Sequence, residues 1–197
     1  MMIVIDTSYG RRHIQVNRRN IRHEMITGAI NLLAERGVYG TSFAVVTEAT
    51  DTPRGSIYHH FPGGKNELIE EAVASIGSVV KSLIDAVDAS SPIEVVEQFV
   101  GSWRALLLAN NFVSNCAVAN VSLGADDSLR DSAGGVFTDW RESLTRAFER
   151  SGVDRDDAVD FADVCLAAVE GAMILGRASR SDDIFDALTR QLSRLVS

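Results

Sequence analysis

Apolar residues recur at intervals of three and four along most of this chain, the spacing of one helical face. Ile26, Ile30 and Leu33 mark such a face from Asn20 onward, and Gly37 is placed to end the helix. Phe43, Val46 and Ala49 mark a shorter stripe over 43–50, which Thr41 or Ser42 can cap. Asp51, Thr52 and Pro53 break the pattern, and Pro53 suits a helix start. The next segment, RGSIYHHF at 54–61, keeps Ile57 and Phe61 on one face. After a second break at PGGK, the residues Leu68, Ala72, Ile76, Val79, Leu83 and Val87 stripe a long helix over 65–87. SSPIE restarts the chain with Ser91 as N-cap, Pro92 in the first turn and Glu94 completing a capping box. Phe99, Trp103, Leu106 and Leu107 follow as its stripe. Further helices are expected at 117–123, 127–150, 156–179 and 182–196. Gly134 and Gly135 predict a kink or split in the second of these, since each costs roughly 1 kcal/mol relative to Ala. No run of alternating β-branched residues stands out, so the expected fold is all-α: three helices, then about six more.

The chain has 197 residues, 46% of them apolar, which fits a packed core and argues against disorder. The net charge of −8 is unevenly spread. Residues 1–66 hold eight Lys and Arg against five Asp and Glu; the remainder holds eleven against twenty-two. All four histidines fall in the first third. A basic end of this kind suits nucleic acid, and the acidic remainder stays soluble. Two cysteines, Cys116 and Cys165, are too few for a disulfide scaffold and read as small buried residues. No apolar run reaches a membrane span, and MMIVID is too short and too soon acidic for a signal peptide. A cytoplasmic protein without a membrane partner is the default expectation. Nothing in the pattern asks for a cofactor or a metal.

Segments 43–50 and 54–61, joined by a tight turn, have the layout of a helix-turn-helix. With Ile57 and Phe61 turned inward, Arg54, Ser56, Tyr58, His59 and His60 share the remaining surface. Gly55 leaves room for close approach at the helix start. Recognition helices present such N-terminal residues to base edges in the major groove. Arg54 can pair with a guanine edge. Ser56, Tyr58 and His60 suit phosphate oxygens, as does Lys65 at the next helix N-terminus. Thr41 and Ser42 belong to the same candidate DNA-binding set. Adjacent helical side chains diverge by about 100°, so His59 and His60 chelate a metal poorly. No Ser–His–acid set, carboxylate pair or phosphate loop supports an enzyme.

RGSIYHHFPGGKNELIEEAV closely resembles the signature of the TetR/AcrR family of bacterial transcription regulators. The likeness extends back through ITGAINLLAERGVYGTSFAVVTEATDTP. The longer PGGK turn, with NCAVANVSLG, FTDWRESL and EGAMILGRASRSDDIFDALTRQL, looks like its LmrA/YxaF-type subgroup. Residues 1–19, with GRRHIQVNRRN and no helical apolar stripe, read as an extended basic arm that is unusual for the family, and the resemblance implies a three-helix DNA-binding domain at 20–66 and a ligand-binding and dimerisation domain at 67–197. In the arm, Arg11, Arg12, Arg18 and Arg19 can reach the minor groove or flanking phosphates. The family often has a glycine in the helix-turn-helix turn, then a small aliphatic residue. Asp51 tolerates left-handed backbone, and Thr52 buries a hydroxyl, at some cost in stability. Trp103, Phe112, Asn120, Trp140 and Phe161 are candidates to line a cavity for a small apolar or aromatic effector. Ala168, Gly171, Ala172, Leu175, Leu188 and Leu192 form a candidate helix-pair face for a homodimer. Two-fold symmetry would set two reading heads ~34–36 Å apart on a palindromic operator in double-stranded DNA. The expected function is a ligand-responsive repressor. The alternative is an all-α small-molecule-binding or adaptor protein without sequence-specific DNA binding.

Overall fold

Asn20 opens the first helix by accepting a hydrogen bond from the His23 N–H, and Gly37, at φ 67°, closes it. This is α1, Ile21–Arg36. A computed structural model describes residues 20–124 and 126–197. The basic arm at 1–19, with Arg11, Arg12, Arg18 and Arg19, lies outside the described residues. Eight more helices follow among the described residues: α2 Phe43–Ala49, α3 Ser56–His60, α4 Lys65–Asp85, α5 Pro92–Ala109, α6 Ala117–Ser122, α7 Asp127–Arg150, α8 Arg155–Ser179 and α9 Asp183–Leu195. The all-helical expectation holds. The first of the three leading helices is longer than its neighbours, and α6 has only six residues.

Helices α1 to α4 meet around Met25, Leu33, Val46, Ile57, Phe61, Leu68 and Ile69, all buried. Gly28 lets α1 approach the end of α2: a Cβ there would stand 2.3 Å from the Thr50 methyl. α4 continues out of this cluster and packs along α7, while α5, α8 and α9 close the far side of the bundle. Gly77 is the tightest point of the α4–α7 contact, where an added Cβ would meet the Val136 methyls at 2.8 Å. Trp140 uses that approach, donating its indole N–H to the Gly77 carbonyl at 2.8 Å. The capping at Ser91 is as expected, but the Glu94 carboxylate reaches back to the Ser90 N–H at 2.8 Å.

Two expectations are corrected. α7 runs unsplit through Gly134 and Gly135 as one helix. Both glycines face open space, and the opposite face of α7, with Ala133, Trp140 and Leu144, is buried. Packing there outweighs the propensity penalty, which is small beside the burial of such side chains. The second correction concerns the α4 stripe, whose lower end does not enter the core. Val79 and Leu83 are 54% and 61% exposed, because α4 and α5 diverge there and leave a groove.

Candidate nucleic-acid interface and ligand groove

The turn between α2 and α3 is built from three residues that the sequence made suspect. Asp51 takes φ 49°, the left-handed conformation that its short polar side chain tolerates. Thr52 is buried, yet its hydroxyl meets that of Thr50 at 2.8 Å, and Thr50 in turn donates to the Val46 carbonyl. The buried hydroxyl is therefore satisfied, which removes most of its cost. Pro53 lies just before α3, and its carbonyl accepts from both the Ser56 N–H and the Ser56 hydroxyl.

Ile57 and Phe61 anchor α3 in the core. The Arg22 guanidinium lies 5.1 Å from the Phe61 ring centre and also pairs with Glu71 on α4. The opposite face is free. Arg54, Gly55, Tyr58 and His59 are exposed, and His60 is half-buried. Tyr58 is 67% exposed although its ring stands edge-on to Phe43 at 5.3 Å, so its hydroxyl end points away from the core. Arg54 makes no ion pair among the described residues.

Four members of the expected contact set, Thr41, Ser42, Lys65 and Ser56, make hydrogen bonds within the protein. Thr41 is wholly buried and donates to the Gly37 carbonyl at 2.9 Å; no DNA can touch it without unfolding the turn. Ser42 is the cap of α2, its hydroxyl accepting from the Val45 N–H at 3.3 Å, and it stays exposed. The Lys65 ammonium donates to the Val38 carbonyl at 2.6 Å, and burial lowers its pKa. It pins the start of α4 to the loop after α1. The Ser56 hydroxyl proton is likewise committed to Pro53, which leaves the oxygen as an acceptor only.

The cavity candidates separate more sharply. A groove of about 540 Å³ runs between α4 and α5, walled by Val79, Val80, Leu83, Phe99, Trp103 and Leu106. That size falls within the range of small-molecule sites. Among the described residues no charged side chain lines it, and Gln98 and Ser102 are its polar members. Of the five expected residues, only Trp103 belongs to it. Trp140 stands behind, edge-on to Trp103 at 5.9 Å, with its N–H spent on Gly77. Phe161 packs edge-on against Phe148 at 5.8 Å. Phe112 sits in the loop after α5 at φ 61°, packed on the core. Asn120 donates to the carbonyls of Leu33 and Ala34 at the end of α1. Sequence reasoning missed Val79 and Leu83 as groove residues, since a stripe looks the same whether it is covered or not.

On the candidate dimer face, Ala172 and Leu192 are buried inside the subunit and cannot reach a partner. They lie on the inner sides of α8 and α9, where those helices pack on the bundle. Ala168, Gly171 and Leu188 are half-buried, and Leu175 is exposed. The outward strip of α8 instead carries Val164, Gly171, Ile174 and Leu175. No helix among the described residues is long and apolar enough to cross a membrane.

Comparison with known proteins agrees with this arrangement. Residues 25–72 match the profile of bacterial regulatory proteins of the tetR family, and residues 92–191 match the LmrA/YxaF-like transcriptional regulator C-terminal domain. An uncharacterised HTH-type transcriptional regulator of Mycobacterium tuberculosis is 32% identical over 183 residues, covering 89% of this chain and 93% of the relative. The HTH-type transcriptional regulator LmrA of Bacillus subtilis is 25% identical over 166 residues, covering 81% and 88%. The fold matches the crystal structure of a TetR regulatory protein from Rhodobacter sphaeroides with a TM-score of 0.79 at 22% identity, over 87% of this chain and 96% of that one. A helix-turn-helix with a free polar face, carried on an LmrA/YxaF-like helical body, makes this chain a member of the TetR family of transcriptional regulators.

Proposed function

We propose that the protein is a dimeric repressor that reads a palindromic operator with α3 and leaves it when a small neutral effector enters the α4–α5 groove. The observation that carries the reading is a solvent-facing set, Arg54 in the turn before α3 and Tyr58 and His59 on α3, opposite the face held in the core by Ile57 and Phe61. Arg54 reads a guanine edge, and Tyr58 and His59 meet phosphates. The outward strip of α8, with Val164, Gly171, Ile174 and Leu175, pairs with its symmetry mate. The protein works in the cytoplasm, beside the chromosome.

The connections between the two ends support a mechanical link. Lys65, the Arg22–Glu71 pair and the Asn66–Asp126 hydrogen bond tie the start of α4 to α1 and α7. The last carbonyls of α1 are also held from the other side: Leu33 and Ala34 by Asn120, and Glu35 by Arg177 of α8. A ligand that spreads α4 from α5 therefore pulls on the reading head at two points. It moves the equilibrium only by its differential affinity for the two head spacings.

The test is a titration of an operator duplex at several salt concentrations. The reading expects steep salt dependence, with the slope reduced by about 0.9 for each phosphate contact removed. Unchanged operator affinity in a variant carrying both Arg54→Ala and Tyr58→Ala refutes the reading-head assignment.

A further inference from the structure

A second cavity, of about 270 Å³, opens between α7 and α8, away from the α4–α5 groove. Phe137, Thr138 and Arg141 line it from α7; Asp163, Leu166 and Glu170 line it from α8. Glu170 is its unusual member. The carboxylate Oε1 is shielded from solvent and has no nitrogen or hydroxyl donor among the described residues. The carboxyl's hydrogen-bonding neighbour is the Cys116 thiol on the α6 side, itself buried and a weak donor. A buried carboxyl oxygen with no donor stronger than a thiol is costly and uncommon, and here its side chain is also a lining member of a cavity.

The remaining walls define the missing partner. Thr138 gives its hydroxyl proton to the Gly134 carbonyl at 3.0 Å, so its oxygen can only accept. Arg141 is matched by Asp163 at 3.8 Å, which balances the charge on that side. What is left is an acid and an acceptor beside the apolar surfaces of Phe137 and Leu166. The complement is a small body with a positively charged donor at one end. We propose that the α7–α8 cleft binds a small organic cation, an aryl- or alkylammonium whose nitrogen meets Glu170 and Thr138 and whose apolar part lies on Phe137 and Leu166. This site is distinct from the uncharged α4–α5 groove and stands whatever enters that groove. Edge-to-face contacts from Phe137 to Trp140 at 5.4 Å and from Trp140 to Trp103 at 5.9 Å join the two cavities through one run of rings.

The carboxyl, which burial pushes up to about 7, makes the proposal readable as proton exchange. The groups facing it are Cys116 from α6, Arg141 from α7 and Asp163 from its own helix. A cation binds the ionised form, so its affinity should rise about tenfold between pH 6 and pH 8. At pH 6.5 binding should release a proton, and at pH 8 almost none.

The full-length protein is titrated calorimetrically with phenethylammonium and with 3-phenylpropanol, a neutral probe of the same size, in two buffers of different ionisation enthalpy. The expected result is ammonium binding with proton release at pH 6.5, and at least tenfold weaker binding of the alcohol. Glu170→Gln, a neutral isostere of the protonated acid, should lose both the preference and the proton release. Equal binding of both probes, ammonium binding unchanged by Glu170→Gln, or no binding up to about 10 mM each overturns the proposal; thermal melts at pH 6 confirm that the variant is folded.

Discussion

The reading head and the helical body treat their polar and aromatic residues in opposite ways. At α3 and the turn before it the apolar residues are spent on the core, and the polar ones are left over: Arg54 without an ion pair among the described residues, Tyr58 and His59 in solvent. In the body the conspicuous side chains are the ones already used. Trp140 is bound to Gly77, and Asn120 to the end of α1. The cavities there are walled mainly by ordinary residues such as Val79 and Leu83. A short element therefore advertises its function through what its core does not need, whereas a long bundle hides its function among residues that look like core.

The largest expected effect breaks that contrast at the head. Replacing Arg54 and Tyr58 together by Ala should weaken operator binding by about 100-fold or more, from about 1–3 kcal/mol for the base contact plus the lost phosphate contact. Stability should hardly move, because neither side chain is in the core. Equilibrium denaturation run beside the gel shift checks both halves of the statement; a large loss of stability would mean that α3 has no spare face.

Glu170 sharpens the same contrast within the body, as a polar group that the core does not use. Its folded pKa of about 7 lies above the ordinary carboxylate value of 4.5. The folded state therefore holds the proton more tightly than the unfolded state does. Its stabilising contribution is complete below pH 4.5 and is lost as the pH rises to about 7. The loss is on the order of 3 kcal/mol. Glu170→Gln should flatten that part of the stability–pH curve and make the protein the more stable of the two at pH 8, as urea melts across pH 4.5–8 would record.

Trp140→Phe probes the opposite kind of residue, an aromatic wholly committed to structure. A six-membered ring stays, but the five-membered part of the indole and its N–H bond to Gly77 are lost, at a cost of about 2–4 kcal/mol from the hydrogen bond and the cavity together. Effector binding in the groove should change little, since Trp140 stands behind Trp103 and does not line it. A large change in effector affinity with unaltered stability would return Trp140 to the list of groove residues.

Much of this arrangement was legible in the chain. The spacing of Ile57 and Phe61 placed α3 correctly, and the asymmetric surface it leaves follows from helical geometry alone. Asp51 in left-handed backbone also followed from its chemistry. What could not be read depends on contacts between distant positions. The bond from Lys65 to the Val38 carbonyl, 27 residues earlier, is one such contact, and it leaves two ammonium hydrogens for a phosphate. The α4 stripe predicted burial at Val79 and Leu83, because periodicity reports an apolar face and not whether another helix covers it. Gly134 and Gly135 misled in the other direction, since the packing of α7 on α4 is invisible to local propensity.

Ser42 carries the smallest expected effect and separates the two roles most cleanly. Its hydroxyl caps α2 through the Val45 N–H while remaining in solvent on the helix-turn-helix. Ser42→Ala removes both the cap and any phosphate contact, and should cost about 1 kcal/mol of stability. Ser42→Asp keeps the cap, because a carboxylate accepts the same hydrogen bond and favours a helix N-terminus. It also sets a negative charge where a phosphate would approach. If Ser42 faces the operator, the Asp variant should be as stable as the parent and yet bind DNA several-fold less well than the Ala variant. If it is a cap and nothing more, DNA affinity should follow stability, and the Asp variant should bind like the parent.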